Sequence, residues 1–564
     1  MKRSLLNTPT TLALMTLALA LFYRGGALAP ALAGLLIFGA LALSRLDLGL
    51  LFIPFTAPLY LIPASISGIR ANSFLLPLHE AALLVILAAA VVGWLWRRLT
   101  TDDRRPTTGE RRPTTDNTPL VSRLSPLAIR YAPHLLFLLA GAIGVFLAVE
   151  RARALIEFRR LIIEPLIFYA LLRWMNDERA RYIVPPRPTT DDRQRTQLSS
   201  TVHRLPSFVV VFILGGAIVG LVGLLQFVGL DVARLLGTKQ CFAASGQPCD
   251  NVVVIGGLRR ATSVYGHPNN LGLYLGRVWP LGAVLDAAPL LGLRKNQRPT
   301  TAQDVRASMG LLNRTDWFAS TFFGLCTLLC LGGIVVSFSR GAWFGAVAAL
   351  AVLAIGMATD ERARNIVPPR PTDDLRARGS SAEARYIVPV RWYVVPVRWS
   401  LVVIVALVVV GALALSLRGD ITSGSTPARL LLWREAVGYI LRYPLGIGLD
   451  QFGYYHDPNS GLSLIDPALL NSSEVYAAHP HNLILDTWLR VGPLGLIAFG
   501  WLLARFFRAG IRRAGTFARS PLPLGALAAM TAVLAHGLVD NFYFVPDLAI
   551  AFWLLIALVE ADDE

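Results

Sequence analysis

Long, continuous apolar runs are the feature that most constrains this chain, because they recur from residue 12 to residue 559. A bilayer core about 30 Å thick requires roughly 20 apolar residues in each helix that crosses it. The runs are rich in Leu, Ala and Val and do not alternate with polar residues, which favours helices over a membrane barrel. The sequence therefore predicts an all-α, polytopic bundle of membrane helices.

The hydrophobic pattern predicts roughly 12–14 transmembrane helices. The least regular is 155–172, because Arg159, Arg160 and Glu164 interrupt it. The first run follows two basic residues, as in a signal peptide, but a second run begins at once, so we expect the first to be retained. The predicted spans are 11–23, 27–43, 47–62, 78–96, 132–149, 155–172, 206–228, 271–292, 317–336, 341–357, 399–417, 483–504, 522–538 and 546–559.

Arginine-dense loops indicate the orientation of the bundle, because cytoplasmic loops of membrane proteins carry an excess of Lys and Arg. Counted from a cytoplasmic N-terminus, these loops all fall on one side. We therefore expect a multi-pass protein of a bacterial cytoplasmic (inner) membrane with both termini in the cytoplasm. The loops also explain the net charge of +17, so no nucleic-acid partner is expected. The basic loops are 97–126, 173–205, 293–316, 358–398 and 505–521, and the opposite side receives 229–270, 337–340 and 418–482.

Composition divides the chain into two predicted regions, the N-terminal transmembrane helices of residues 1–205 and a second transmembrane domain of residues 206–564. Their Pro/Thr/Arg-rich insertions are related, because Ile-Val-Pro-Pro-Arg-Pro-Thr occurs at 183–189 and 366–372 and Arg-Pro-Thr-Thr recurs at 105, 112 and 298. Such tracts cannot bury a core, so we interpret them as insertions without a catalytic role. The insertions are 97–126, 175–205 and 358–398, and the second domain also contains a large extracytoplasmic loop, 418–482, expected to hold short helices.

Four cysteines form two pairs by their spacing. Cys241 and Cys249 lie in a polar loop that we place outside the cytoplasm, where a disulfide could form. Cys326 and Cys330 lie within an apolar run and are interpreted as small apolar helix residues. No cysteine belongs to a metal-binding motif, so no metal site is expected.

An arginine lies at the membrane boundary in residues 337–341, which read Ser-Phe-Ser-Arg-Gly between two apolar runs. Charge at this depth is costly, so Arg340 either snorkels to the surface or binds an anion. Ser339 precedes it.

A second arginine lies in the long loop, where the sequence from residue 425 predicts a helix. Arg429 and Trp433 share one of its faces, a pattern typical of an amphipathic helix on the membrane surface. Pro-Leu-Gly-Ile-Gly at 444–448 then ends the helix, and its glycines would let the backbone approach a neighbour or a ligand.

Two histidines precede the next span in residues 478–486, Ala-His-Pro-His-Asn-Leu-Ile-Leu-Asp, and a Gly-x-x-Gly follows at 492–495. The glycines predict a helix packed closely against its neighbours. We favour His481 over His479 for a chemical role, because it alone directly precedes Asn482. An imidazole can be neutral outside the cell and accept a proton.

The order and spacing of these motifs resemble the O-antigen ligase and polymerase superfamily. The similarity spans about residues 262–559 and includes Gly-His-Pro-Asn-Asn-Leu-Gly at 266–272, with Asn269 in its centre. The chain departs from the family pattern in its larger number of spans, in the repeats of its cytoplasmic loops and in the presence of His479 beside His481.

The resemblance implies an enzyme that moves a glycan from a polyprenyl pyrophosphate carrier to an acceptor hydroxyl on the extracytoplasmic face, with inversion and without metal or other cofactor. It implies that Arg340 and Arg429 bind the pyrophosphate and that His481 assists the acceptor hydroxyl. The partners are then the carrier-linked glycan, a lipid or glycan acceptor and membrane lipids. The substrate-binding residues expected beside these three are Asn482, Trp433, Ser339, His479 and Asn269.

Two other functions are compatible with the sequence. A polymerase would extend a carrier-linked glycan instead of delivering it to another acceptor, and the motifs do not separate the two. A small-solute or anion transporter would explain the many spans and the intramembrane charges Arg159, Arg160 and Glu164. A transporter would, however, carry broken helices near the bilayer midplane, whereas the polar motifs here cluster in one loop region.

Overall fold

A computed structural model describes residues 7–67, 74–101, 120–182, 205–237, 239, 252–255, 258–290, 314–366, 425–514 and 521–560. These residues are mostly helical, which confirms the predicted all-α polytopic bundle. The predicted span 399–417 and the cysteines Cys241 and Cys249 lie outside the described residues. Cys326 and Cys330 are buried free thiols within a helix, as expected.

The α-helices follow one another with short connections in most of the described chain. They are α1 (Thr8–Arg24), α2 (Leu28–Ser44), α3 (Leu46–Thr56), α4 (Leu78–Thr101), α5 (Leu120–Leu147), α6 (Arg151–Phe158), α7 (Glu164–Tyr182), α8 (Leu205–Phe227), α9 (Pro268–Leu290), α10 (Arg314–Ser337), α11 (Arg340–Ile366), α12 (Ser425–Arg442), α13 (Phe452–His456), α14 (Leu483–Ala514), α15 (Leu522–Gly537) and α16 (Pro546–Glu560). Two small antiparallel hairpins pair β1 (Ala64–Ile66) with β2 (Phe74–Leu76) and β3 (Val252–Ile255) with β4 (Leu258–Ala261).

Six of the described helices are long and apolar enough to cross a membrane: α4, α5, α8, α10, α11 and α14. Shorter apolar helices are formed by α2, by α3 with the turn after it, and by α15. Several helices continue beyond the predicted spans, since α5 begins within the insertion predicted at 97–126 and α11 extends into 358–398. The total number of spans stays a prediction.

The irregular span predicted at 155–172 is helical but contains a π-turn, Arg159–Ile163, between α6 and α7. Its charged residues are paired inside the bundle. Arg159 and Arg160 each lie 2.8 Å from the carboxylate of Glu80 on α4, and Arg159 also binds Glu164. Because an unpaired charge is expensive in a membrane, these pairs join α4 to α7.

The residues of the long loop build a second, smaller hydrophobic core beside the bundle. The buried face of α12 packs there against α13 and the turns that follow. The loop is therefore a folded platform that can hold side chains in fixed positions. The core consists of Leu432, Ala436, Tyr439, Ile447, Phe452, Tyr455, Leu469, Ala477 and Leu489.

The Pro-Leu-Gly-Ile-Gly segment fixes this platform to α14. The backbone N–H groups of Ile447 and Gly448 donate to the carbonyl of Leu489 at 2.8 and 3.1 Å. Gly446 has a φ of 95°, in the region that favours glycine, and α14 is kinked opposite it at Gly492, where φ is 68°. The neighbour that these glycines approach is therefore a helix.

Replacing Gly446 with alanine should destabilise the protein. An added Cβ would lie 2.8 Å from the carbonyl oxygens of Trp488 and Leu489, and left-handed backbone strain costs about 1–3 kcal/mol. We expect a lower thermal unfolding midpoint in detergent. Gly500→Ala on α14 is the matched control, because nothing lies within 4 Å of its added Cβ. Equal midpoints for both variants would contradict this account of the docking.

Candidate active site

Polar residues meet at the end of the bundle where α9, α11 and α14 begin and where α10 and α15 end. Residues from β4, from the α10–α11 connection, from the external platform and from the segment after α15 contribute to this site. The sequence places Arg-dense loops beyond the opposite ends of the same helices. The site therefore lies on the side predicted to receive the loops 229–270, 337–340 and 418–482.

Two similar segments enter the site in the same way. His-Pro-Asn-Asn-Leu at 267–271 leads into α9, and His-Pro-His-Asn-Leu at 479–483 leads into α14. In each, the backbone N–H of the third residue donates to Nδ1 of the first residue at 3.2 Å, from Asn269 to His267 and from His481 to His479. The repeated turn presents Asn269 and His481 toward a common partner.

That partner is Asp540, a buried carboxylate in the segment after α15. His481 Nδ1 lies 3.3 Å from its Oδ1, and the side-chain amide of Asn269 donates to its Oδ2. The backbone N–H of Asn541 also donates to Oδ1, at 2.7 Å. Burial alone would raise the pKa of Asp540, but the hydrogen bond and charge of His481 hold it well below its usual range.

His481 lies between two carboxylates, since its Nε2 is 3.3 Å from Oε2 of Glu474 while Nδ1 faces Asp540. Burial lowers the pKa of His481, but hydrogen bonds and charge from Asp540 and Glu474 outweigh burial and raise it to about 9. The imidazole is therefore a cation at neutral pH when no substrate is bound. This differs from the neutral imidazole expected from the sequence, because the sequence does not show the two carboxylates.

The backbone of His481 is also unusual, with a φ of 50°. Non-glycine residues in this region are strained by about 1–3 kcal/mol and concentrate at functional sites. Trp433 on α12 supports the strained residue by donating from its indole Nε1 to the carbonyl of His481 at 3.3 Å.

The other two histidines of the repeated turns are neutral. Nδ1 of His267 and of His479 accepts a backbone hydrogen bond, so that atom carries no proton. Burial, first among the causes, lowers the pKa of His267 to about 4 and that of His479 well below its usual value.

Three guanidinium groups lie close enough to influence one another. Burial, together with the charges of Arg340 and Arg429, lowers the pKa of Arg260 on β4 to about 10, while the charge of Asp540 opposes this shift. Arg260 donates from Nε to the carbonyl of Ser337 at 3.1 Å. Nε of Arg429 is buried without a hydrogen-bond partner among the described residues. Such a cluster is suited to binding an anion with several oxygen atoms.

The remaining predicted residues lie in or beside the site. Ser339 Oγ lies 3.4 Å from Nε2 of His536 at the end of α15. Asn482 caps α14, because its Oδ1 accepts from the N–H groups of Ile484 and Leu485 at 3.0 and 3.1 Å. The structure thus gives Asn482 and Trp433 positioning contacts, while their predicted contacts with substrate stay predictions.

Hydrogen bonds to α9 and to Leu161 fix the segment after α15 that carries Asp540. Arg277, fully buried on α9, donates to the carbonyl of Phe542. Tyr543 donates from its hydroxyl to the carbonyl of Leu161, within the π-turn, at 2.7 Å. These contacts restrict the position of the carboxylate that organises the site.

A metal ion is geometrically conceivable at His479, His481 and Asp540, which offer ligand atoms within 4.8 Å of one another. The cation would have to break the hydrogen bond between His481 and Asp540 and would face the charges of the nearby arginines. Electrostatics therefore favours hydrogen bonding as the use of these atoms. A second such group in the described residues is His79, Glu80 and Glu164, whose carboxylates already pair with arginines.

Sequence reasoning missed Asp540, Glu474 and Arg260. Asp540 could have been found, because it is a charged residue between two apolar runs on the same predicted side as His481. Arg260 is hidden by the abundance of arginine in the chain. Nothing in the sequence distinguishes Glu474 from the other acidic residues of the long loop.

Comparison with protein families matches residues 325–500 to the O-antigen ligase family. The match begins within α10 and ends within α14, and it therefore includes Arg340, Arg429 and His481, whereas Arg260 and Asp540 lie outside it. No curated protein matches the chain. Residues 325–500, within the helical membrane bundle, are therefore similar to the O-antigen ligase family.

Proposed function

We propose that this protein transfers a glycan from a polyprenyl pyrophosphate carrier to an acceptor hydroxyl on the extracytoplasmic face of the membrane. The similarity of residues 325–500 to the O-antigen ligase family supports a membrane glycosyltransferase of the ligase or polymerase kind. The observation that carries the finer proposal is the clustering of Arg260, Arg340 and Arg429 beside the paired His481 and Asp540.

The charges of the site fit a pyrophosphate diester. Arg260 is influenced by Asp540, Glu474 by Arg429 and His481 by both carboxylates, while Arg340 influences Arg260. The guanidinium groups supply positive charge beside these carboxylates, and a pyrophosphate diester carries two negative charges. Guanidinium forks bind such oxygens in pairs through charge-assisted hydrogen bonds.

The proposed reaction is a single displacement at the anomeric carbon. The acceptor oxygen forms the new glycosidic bond while the bond to the pyrophosphate oxygen breaks, and the leaving group takes the electron pair. Arg340 and Arg429, with Arg260, stabilise the charge that grows on the leaving group. His481, in its neutral form, accepts the proton of the acceptor hydroxyl, and inversion follows from attack opposite the leaving group.

The proposed side of the membrane follows from charge. The site lies where α9, α11 and α14 begin, and the arginine-rich sequences follow the other ends of these helices. Since basic loops remain in the cytoplasm, the site faces outward.

The assay that tests this function uses the purified protein with a polyprenyl-pyrophosphate-linked glycan. A ligase produces transfer only when a separate lipid or glycan acceptor is added, whereas a polymerase lengthens the carrier-linked glycan alone. No transfer under either condition by protein that remains folded would contradict the proposal.

Removal of divalent cations should leave the transfer rate unchanged within about twofold, because guanidinium groups supply the charge that a metal provides in other phosphate-leaving reactions. The measurement is the initial rate after treatment with EDTA and after re-addition of Mg²⁺, Mn²⁺ or Zn²⁺. A loss restored by one of these ions would instead place a metal at His479, His481 and Asp540.

The transporter alternative loses its main support in the structure. Its predicted charges Arg159, Arg160 and Glu164 pair within the protein through Glu80. Pairing that joins helices explains these residues without a transported ion. Solute uptake by reconstituted vesicles that depends on Glu164 but not on His481 would revive it.

A further inference from the structure

Glu474 pairs with Nε2 of His481, the ring nitrogen that does not face Asp540. Its Oε2 lies 3.3 Å from Nε2, while Asp540 faces Nδ1. Glu474 lies on a single turn of the external platform, Ser473–Tyr476, and its side chain is 19% exposed. A carboxylate at Nε2 and an acceptor hydroxyl that gives its proton to Nε2 cannot occupy that position together.

The backbone of Glu474 is anchored independently of its side chain. Ser472 Oγ accepts from the backbone N–H of Glu474 at 3.1 Å. The Glu474 carbonyl lies 2.8 Å from Nε2 of buried His456, whose Nδ1 lies 2.9 Å from the carboxylate of Glu435 on α12. The side chain can therefore rotate away from His481 while the turn stays in place.

We infer that Glu474 is a displaceable partner of His481, which holds the imidazole protonated in the empty site and yields Nε2 to the acceptor hydroxyl. This inference rests on the proposed function and deepens it. When the acceptor displaces the carboxylate, the Nε2 proton of His481 is released to solvent. The neutral ring keeps Asp540 at Nδ1 and can then take the hydroxyl proton at Nε2. After transfer, Glu474 pairs again with the imidazolium, which keeps that proton until the next acceptor binds.

Several other groups surround His481 and set the background against which Glu474 acts. Asp540 approaches from the segment after α15, His479 precedes it in the same loop with ring centroids 4.3 Å apart, and Asp486 follows it on α14. More distant charged or titratable neighbours are His267 before α9, His536 on α15, Arg429 on α12 and Arg490 on α14. Of these groups, only Glu474 and Asp540 hydrogen-bond to the His481 ring.

The test is the pH dependence of kcat/KM for transfer by the full-length protein and by Glu474→Gln. Activity requires a neutral His481 in the free enzyme, so it rises as pH rises through the pKa of that residue. Glutamine removes a charge that raises this pKa. We therefore expect the acid limb of the profile to move to lower pH by about one unit or more, with transfer retained.

Two further variants make the test specific. Glu474→Asp keeps the negative charge but places it farther from His481, because the side chain is one methylene shorter. The acid limb of its pH profile should therefore lie between those of the wild type and Glu474→Gln. Asp466→Asn, in the same loop, keeps the acceptor that caps the turn at Ala468 and should leave the profile unchanged.

An acid limb at the wild-type pH in both Glu474 variants would overturn the inference. Loss of transfer at every pH by folded Glu474→Gln would also overturn it, because Glu474 would then be the base itself. Failure of the proposed function is a separate result, seen when the wild type transfers nothing or when His481→Ala transfers fully.

Discussion

Replacing Arg340 or Arg429 with alanine is expected to lower kcat/KM for glycan transfer by about a hundredfold or more. Each charge-assisted hydrogen bond to the pyrophosphate contributes about 1.5–3 kcal/mol, and a guanidinium fork makes two of them. About 1.4 kcal/mol corresponds to a tenfold change in rate. The measurement is the initial rate of transfer by purified variants at matched protein concentration, with the thermal midpoint showing that each variant is folded.

Arg434→Ala is the matched control, because Arg434 lies on the same helix as Arg429 but is exposed. It should retain transfer within about threefold, since an exposed charge contributes little. Lysine at position 340 or 429 should restore part of the activity, because it keeps the charge but not the fork. Full activity of folded Arg340→Ala and Arg429→Ala would show that these arginines do not bind the pyrophosphate.

Replacing Asp540 with asparagine should reduce kcat by about a hundredfold or more, even though the shape of the side chain is kept. Asp540 accepts from both His481 and Asn269. An amide has one oxygen, so its NH₂ group would confront one of these donors and leave it without a partner. Loss of the buried charge would also remove support for the correct orientation of the imidazole.

Asp540→Asn should also shift the pH profile of kcat/KM in a defined direction. Asp540 raises the pKa of His481, so Asp540→Asn should move the remaining acid limb of kcat/KM to lower pH. Asp457→Asn, in the external loop, keeps its turn-capping acceptor and should behave as the wild type. Transfer at the wild-type rate by folded Asp540→Asn would show that Asp540 does not act through His481.

The fold was largely predictable because hydrophobic burial in a membrane leaves a simple pattern. Runs of apolar residues located the helices of the described chain, and the interruption by Arg159 and Glu164 marked the π-turn between α6 and α7. The helix ends were less predictable, because α5 and α11 extend into sequences whose composition alone indicates loops. The partners of the buried charges, such as Glu80, could not be predicted, because they depend on packing between helices that are far apart in the sequence.

The candidate site was predictable where a residue lies in a local motif. Arg340, Arg429 and His481 each follow a recognisable pattern of small or aromatic residues. Asp540 and Glu474 join the site only through tertiary contacts, and they decide the protonation of His481. The neutral imidazole predicted from the sequence was therefore not found in the substrate-free protein.

The repeated His-Pro-x-Asn-Leu segments explain why this end of the bundle became the site. A His-Pro pair with the same backbone-to-Nδ1 hydrogen bond lies at the start of α9 and shortly before α14, and the residue after each pair directs its side chain to one oxygen of Asp540. One copy supplies an amide, which can only orient the carboxylate, and the other supplies an imidazole, which can also carry a proton.

The most direct measurement is an electron cryomicroscopy structure of the protein with polyprenyl pyrophosphate bound. The account predicts diphosphate density within hydrogen-bonding distance of the guanidinium groups of Arg340 and Arg429, at the bundle end that carries His481. Diphosphate bound at a different place, with these arginines making no contact to it, would contradict the account.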